Sequence, residues 1–150
     1  MAVDYLLTAI GALKIVANNS GLLSVKFVEA ITDDVDANVH TAAGIIQLDE
    51  YFKGDRREFD LCFANTGTNF QLAVWQQLIA VSYGETLRYQ DIANNCGHPK
   101  ASQAVGTACA NNPILVIVPC HRIIGSNGSL TGYAGGIDRK LWLLQHEGVI

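Results

Sequence analysis

The residues best equipped for chemistry stand together at Pro119-Cys120-His121-Arg122. A thiol beside an imidazole and a guanidinium has the makings of an activated nucleophile. The thiolate attacks, the imidazole takes its proton, and nearby positive charge from Arg122 favours ionisation. Adjacent side chains rarely aim at each other, so the proton would travel from Cys120 to His121 through a water. A carboxylate, Glu147 or Glu85, would orient the ring. Spacing alone leaves a catalytic and a purely structural Cys120 equally open. Cys62, Cys96 and Cys109 show no paired CxxC spacing, so no zinc site is expected. Cys62 and Cys109 lie among small or apolar neighbours and are expected to be buried free thiols. The absence of HExxH and GxSxG sequences disfavours metal-dependent and serine hydrolysis. The glycines between Gly125 and Gly136 either supply turns or let main-chain amides face a ligand. They form no phosphate loop, because Lys-Ser/Thr does not follow Gly136.

These residues need elements to place them. Asn18-Asn19-Ser20-Gly21 between Lys14–Ala17 and Leu22–Val28 predicts a β-hairpin. From about Ala37 to Phe52, Val39, Ala43, Ile46 and Phe52, with Ile45 and Leu48 beside them, keep helical spacing and predict a helix, with Gly44 weakening it. Phe59, Leu61 and Phe63 alternate as in a strand. Thr68 with Gln71 is a capping box opening a helix with a stripe of Phe70, Val74, Leu78 and Ile79. A helix from Tyr89 to Asn95, a turn containing Gly97, and a third helix from Lys100 to about Ala110 make a helix-turn-helix pattern, with Pro99 suited to the third helix's first turn. That third helix is rich in Ala, Ser, Gly and Thr, so it either packs tightly inside the protein or lies close against a DNA groove. Ile114–Val118 reads as a buried extended run delivering Cys120, and Ile137 to His146 as a last helix.

The chain has 150 residues, 49% hydrophobic and 16% charged, which indicates a folded globule. A division is expected into a small lobe, 1–64, of antiparallel sheet and helix, and a mostly helical part, 65–150, giving an α+β fold overall. The net charge of −4 is uneven: residues 1–60 carry five Lys/Arg against ten Asp/Glu, and residues 61–150 five against four. Any contact with phosphate should come from the second part, with modest electrostatic attraction. No signal peptide or membrane-spanning run is evident, so a cytoplasmic protein without membrane contact is expected.

Val118-Pro119-Cys120-His121-Arg122-Ile123-Ile124 followed by Gly132-Tyr133-Ala134-Gly135-Gly136 resembles the signature of the methylated-DNA–protein-cysteine methyltransferases. The likeness runs over about 68–148, through Tyr89-Gln90-Asp91-Ile92-Ala93 and Trp142-Leu143-Leu144-Gln145-His146-Glu147-Gly148, and is weak over 1–63. The resemblance implies single-turnover repair of O6-alkylguanine, with O4-alkylthymine as a second candidate substrate, by a monomer acting on double-stranded DNA without cofactor or metal. It implies that Cys120 accepts the alkyl group, His121 takes its proton, Glu147 orients His121 and Asn112 shapes the turn. Tyr89 would meet N3 of a flipped guanine. Tyr133, Ala134, Gly135, Gly136 and Ile123 would wall the pocket. Ala101, Ser102, Gln103, Ala104, Gly106, Thr107 and Arg122 would face DNA, the small-residue helix entering the minor groove. Gln103 departs from the family pattern, which has an arginine there that fills the space of the flipped nucleotide. Two alternatives stay open: a lesion-binding protein that transfers nothing, and a cysteine hydrolase.

Overall fold

A computed structural model describes residues 1–150, which divide into two compact units, Met1–Thr66 and Gly67–Ile150. In the first unit, strands β1 (Ala2–Thr8), β2 (Gly11–Ala17) and β3 (Leu22–Val28) form an antiparallel sheet in that order. The Asn18–Gly21 turn closes the second hairpin, its Asn18 Oδ1 accepting from the amides of Ser20 and Gly21 at 2.8 and 3.1 Å. Helix α1 (Val39–Phe52) packs on the sheet and is opened by a capping box between Asn38 and Thr41. Its buried residues are Thr41, Gly44, Leu48 and Tyr51, whereas Val39 and Ile46 are exposed, so the apolar spacing does not by itself mark the buried face. Gly44 lies on the face that packs against the sheet, where an added Cβ would make ordinary van der Waals contact, 3.6 Å from side-chain atoms of Ile15 and Leu22.

Two further expectations fail here. Phe59–Phe63 forms no strand; a single parallel bridge joins Leu22 to Phe63. The sheet ends at β3, whose Leu22 amide and carbonyl bond Cys62 and Ala64, while the Gln47 side chain bonds the amide and carbonyl of Asp60. Cys62 is exposed, not buried.

The second unit contains α2 (Asn69–Ile79), β4 (Leu87–Arg88), α3 (Tyr89–Asn95), α4 (Ser102–Ala110), a 3₁₀ turn at Cys120–Arg122, β5 (Ile123–Ile124) and α5 (Ile137–His146). The Thr68–Gln71 capping box forms with both bonds at 3.0–3.1 Å. Its helix buries Val74, Trp75 and Leu78 and leaves Ile79 exposed. Trp75 displaces Ile79 from the stripe because its indole N–H finds a buried partner, the Ala108 carbonyl at 2.9 Å. Helices α2, α3 and α4 pack on one another. Helix α4 begins at Ser102, capped by Ala101, so Pro99 lies outside its first turn.

The largest correction concerns Ile114–Val118. These residues are buried but form compact turns, not an extended run. The Val118 amide bonds the Ile114 carbonyl, and Ile117 bonds Leu115. The two-residue β4–β5 pairing follows this region, and the Val118 and Ile117 bonds close the run into turns. Val116 consequently sits at φ +68°, a conformation costing a β-branched residue about 1–3 kcal/mol.

Candidate active site

Asn112 holds the strained turn from inside. Its Oδ1 accepts from the Ile114 amide at 3.0 Å, and its Nδ2 donates to the Val118 carbonyl at 2.8 Å. The same amide group reaches Cys120 Sγ at 3.2 Å. One buried side chain thus shapes the turn and supplies a donor to the sulfur. The 3₁₀ turn then places Cys120, His121 and Arg122, all buried, on successive corners. The short parallel ladder Leu87↔Ile123 and Arg88↔Ile124 fastens the residue leaving that turn to the residues leading into Tyr89. This explains how α3, some thirty residues earlier, is brought to the cysteine.

Helix α5 supplies the rest of the machinery on one stripe. Lys140, Leu143, Leu144 and Glu147 follow i, i+3, i+4, i+7 spacing, and all four are buried. Glu147 Oε2 is 2.7 Å from His121 Nε2. Arg122 grips both carboxylate oxygens, Nε to Oε1 at 2.8 Å and Nη2 to Oε2 at 3.0 Å, and donates through Nη1 to the Val81 carbonyl at 2.8 Å. Glu85, the alternative partner, is exposed.

These contacts fix protonation states. Burial pushes the Glu147 carboxyl up, but hydrogen bonds from His121 and Arg122 outweigh it and hold the group well below the usual carboxylate range. An ionised carboxylate only accepts, so His121 Nε2 carries the ring proton. Burial lowers the His121 pKa despite Glu147, which keeps the ring neutral. Its Nδ1 lone pair is buried without a protein partner, as is the Tyr133 hydroxyl, whose ring meets His121 edge-on at 6.3 Å. Burial pushes the Cys120 thiol up to about 11, opposed by the Asn112 hydrogen bond and the charge of Lys140. Arg122 plays a different part from the one expected of it. Buried and bound to Glu147, it is not available to DNA phosphate, and the cation that acts on the thiol is Lys140.

Beside this buried core lies a cleft of about 760 Å³, lined among others by Tyr89, Gln103, Gly106, Thr107, Thr131 and Gly132. Ser102 also lines it, while Ala101 is half-buried at the cap of α4. Helix α4 turns Val105, Ala108 and Cys109 inward and leaves Gln103, Ala104, Thr107 and Ala110 exposed. Its small residues therefore include an outward face. A Cβ on Gly106 would meet nothing closer than Tyr89 at 3.9 Å, so internal packing does not demand that glycine. Ile123 and Gly135 are buried, Ala134 and Gly136 exposed, and Gly136 (φ +93°) caps α5. Lys140 escaped the sequence reading. The i, i+3, i+4, i+7 stripe shared with Glu147 was the signal, but a lysine on an apolar stripe reads by default as reaching for solvent.

A buried thiol, a carboxylate-oriented imidazole and an exposed small-residue helix place the chain among helix-turn-helix proteins with a cysteine–histidine–glutamate site. The family model described as 6-O-methylguanine DNA methyltransferase, DNA binding domain, matches residues 69–149. A methylated-DNA–protein-cysteine methyltransferase of Methanosarcina barkeri is 41% identical, the match covering 98% of this chain and 97% of that one. One from Methanosarcina acetivorans is 56% identical over 102 residues, which span 68% of this chain and 65% of the relative. A crystal structure of the Mycobacterium tuberculosis protein in complex with DNA superposes with a TM-score of 0.90 at 40% identity, covering 98% of this chain and 92% of that one. The chain belongs to the methylated-DNA–protein-cysteine methyltransferase family.

Proposed function

We propose that this chain repairs O6-alkylguanine in DNA by moving the alkyl group onto Cys120 Sγ, once per molecule. The observation that carries the reading is the buried series Asn112–Cys120 and His121–Glu147–Arg122. It offers a thiol held by one donor and a neutral imidazole whose free nitrogen has no hydrogen-bond partner in the protein.

In this reading His121 Nδ1 takes the thiol proton through a water, and Glu147, itself fixed by Arg122, stabilises the imidazolium that forms. Sγ attacks the alkyl carbon in line with its bond to O6. The new S–C bond forms as the C–O6 bond breaks, and the electron pair passes to the guanine ring. The Tyr89 hydroxyl meets that developing charge at N3. Asn112 holds the sulfur during attack. A thioether has no ready leaving path, so Cys120 stays alkylated and no cofactor is consumed.

The base is unreachable within the stacked duplex and must be turned out, at a cost of a few kcal/mol. Helix α4 would lie in the minor groove, where Ala104, Gly106 and Thr107 allow close approach and Gln103 occupies the gap left in the stack. Tyr133, Ala134, Gly135, Gly136 and Ile123 would bound the pocket, and a monomer suffices. The test is intact mass after incubation with a duplex containing O6-methylguanine, beside Cys120→Ala. A gain of one methyl in place of a hydrogen, absent from the variant, is expected. Binding of the lesion without that gain would overturn the reading.

A further inference from the structure

Lys140 is a lysine with 1% exposure, and its ammonium is spent on two backbone carbonyls. One belongs to Ile123, the residue that leaves the Cys120 turn; the other is Thr131, in the glycine-rich loop, at 2.9 Å. The Thr131 carbonyl has a second donor, the Tyr89 hydroxyl at 3.0 Å. The ammonium also stands 6.0 Å from the centre of the Tyr89 ring. Tyr89, Thr131 and Gly132 all line the cleft, so this three-way junction sits where a base would enter.

We propose that Lys140 is a positioning residue that lets the Tyr89 hydroxyl change partners, from the Thr131 carbonyl to an acceptor on the incoming base. In the free protein, Thr131 keeps the hydroxyl pointed at the loop. For the hydroxyl to serve a base nitrogen, as the proposed function requires, that bond must break. A hydrogen bond of this kind is worth about 0.5–1.5 kcal/mol net. Lys140 lowers the cost of giving it up, because the Thr131 carbonyl keeps the ammonium when the tyrosine leaves. A carbonyl oxygen has two lone pairs and accommodates both donors at once. The second bond of Lys140, to Ile123, ties the junction to the strand that leaves the Cys120 turn, so loop, tyrosine and nucleophile keep register during the exchange.

Burial fits this use. Lys140 is pushed below the ordinary lysine range by desolvation, and the charges of Cys120 and Cys109 act in the opposite sense. The groups facing Cys120 from the packed elements are Asn112, Cys109, Tyr89, Tyr133, His121 and Lys140. Among them Lys140 is the one whose side chain bonds both the strand after the nucleophile and the loop that holds Tyr89.

The test is a double-mutant cycle on the full chain with Lys140→Met and Tyr89→Phe, read first by thermal unfolding and therefore independent of activity. Either single variant leaves the Thr131 carbonyl one donor, whereas the double variant leaves it none. The Tm loss of the double variant should exceed the sum of the single losses, and an additive result overturns the shared-carbonyl junction. The second reading is the single-turnover rate at saturating lesion DNA. Lys140→Met should slow transfer about tenfold with little change in DNA affinity, and Lys140→Arg should recover part of the rate. In the Tyr89→Phe background, where no hydroxyl has to move, Lys140→Met should cost far less. An equal loss in both backgrounds refutes the partner exchange. If Lys140→Met fails to fold, Lys140→Leu, shorter and likewise without a donor, takes its place in both readings. Failure of the wild-type chain to gain an alkyl group would refute the repair reading, while the unfolding cycle would still decide the junction.

Discussion

Binding to DNA should depend on salt far less than is usual for a DNA-binding protein, and the structure sets the size of the effect. The second unit has five cationic residues, Arg88, Lys100, Arg122, Arg139 and Lys140. Arg122 and Lys140 are 6% and 1% exposed and committed to Glu147 and to main-chain carbonyls. Arg88, Lys100 and Arg139, the last also donating to the Gly135 carbonyl, set an upper count of three for phosphate. Each neutralised phosphate contributes about 0.9 to the slope of log affinity against log salt, so the slope should reach at most about −2.7. Raising salt from about 50 to 200 mM should then weaken binding at most about fortyfold, against a thousandfold or more for proteins with six to ten phosphate contacts. The assay is fluorescence anisotropy of a duplex containing O6-methylguanine, titrated at several salt concentrations with Cys120→Ser so that nothing is transferred. Lys100→Ala should flatten the slope by about one, and Gln103→Arg, pointing from the exposed face of α4, should steepen it by about one. A wild-type slope steeper than about −5 would refute the count. It would mean that cations outside this unit meet the DNA.

Other outcomes follow from the buried core. With its thiol raised by burial to about 11, Cys120 in the free protein should react with iodoacetamide at a rate that climbs with pH towards 11; a plateau below pH 8 contradicts that burial. Cys109 is raised by burial to about 12, so the folded state holds that proton more tightly than the unfolded chain. The resulting stability is complete below the ordinary thiol value of 9.0 and is lost as pH rises towards 12, so Cys109→Ala should flatten the alkaline limb of urea-unfolding stability plotted against pH. Glu147→Gln leaves the Arg122 guanidinium buried without a counter-charge and should cost about 3–5 kcal/mol in chemical unfolding; a loss under about 1 kcal/mol would show that the pair is not buried in solution. Gly106→Ala should leave the fold intact and raise stability by up to about 1 kcal/mol through helix propensity, while Gly106→Leu, projecting into the cleft, should weaken anisotropy-measured DNA binding at unchanged Tm.

Much of this was legible in the sequence where a local signal had one physical meaning. The Asn18–Gly21 turn, the Thr68–Gln71 cap and the helices at Tyr89–Asn95 and Ile137–His146 each follow from hydrogen bonds or periodicity within a few residues. The failures share a different origin. Val39 against Thr41, Ile79 against Trp75, and the Phe59–Phe63 segment were decided by what lay opposite, namely a sheet face, a buried carbonyl and a sheet edge. Hydropathy ranks residues by their preference for burial, but it does not say which face a partner will cover.

The same limit explains Ile114–Val118 and the two buried cations, and it bears on how the site works. An apolar β-branched run reads as a strand because strands are its commonest resting place. Here Asn112, with bonds to both Ile114 and Val118, holds the run in a strained turn. That turn presents Cys120 to the same amide group that closes it. Arg122 and Lys140 read as surface charge because burial of either alone would be prohibitive. Their partners, Glu147 for the one and two carbonyls for the other, lie up to 25 residues away in the chain. Each feature that opposed the local reading, the positive φ, the buried guanidinium and the buried ammonium, lies within the residues that hold Cys120, His121 and Tyr89. Local preference yields at these positions because groups distant in the chain are spent on holding the site.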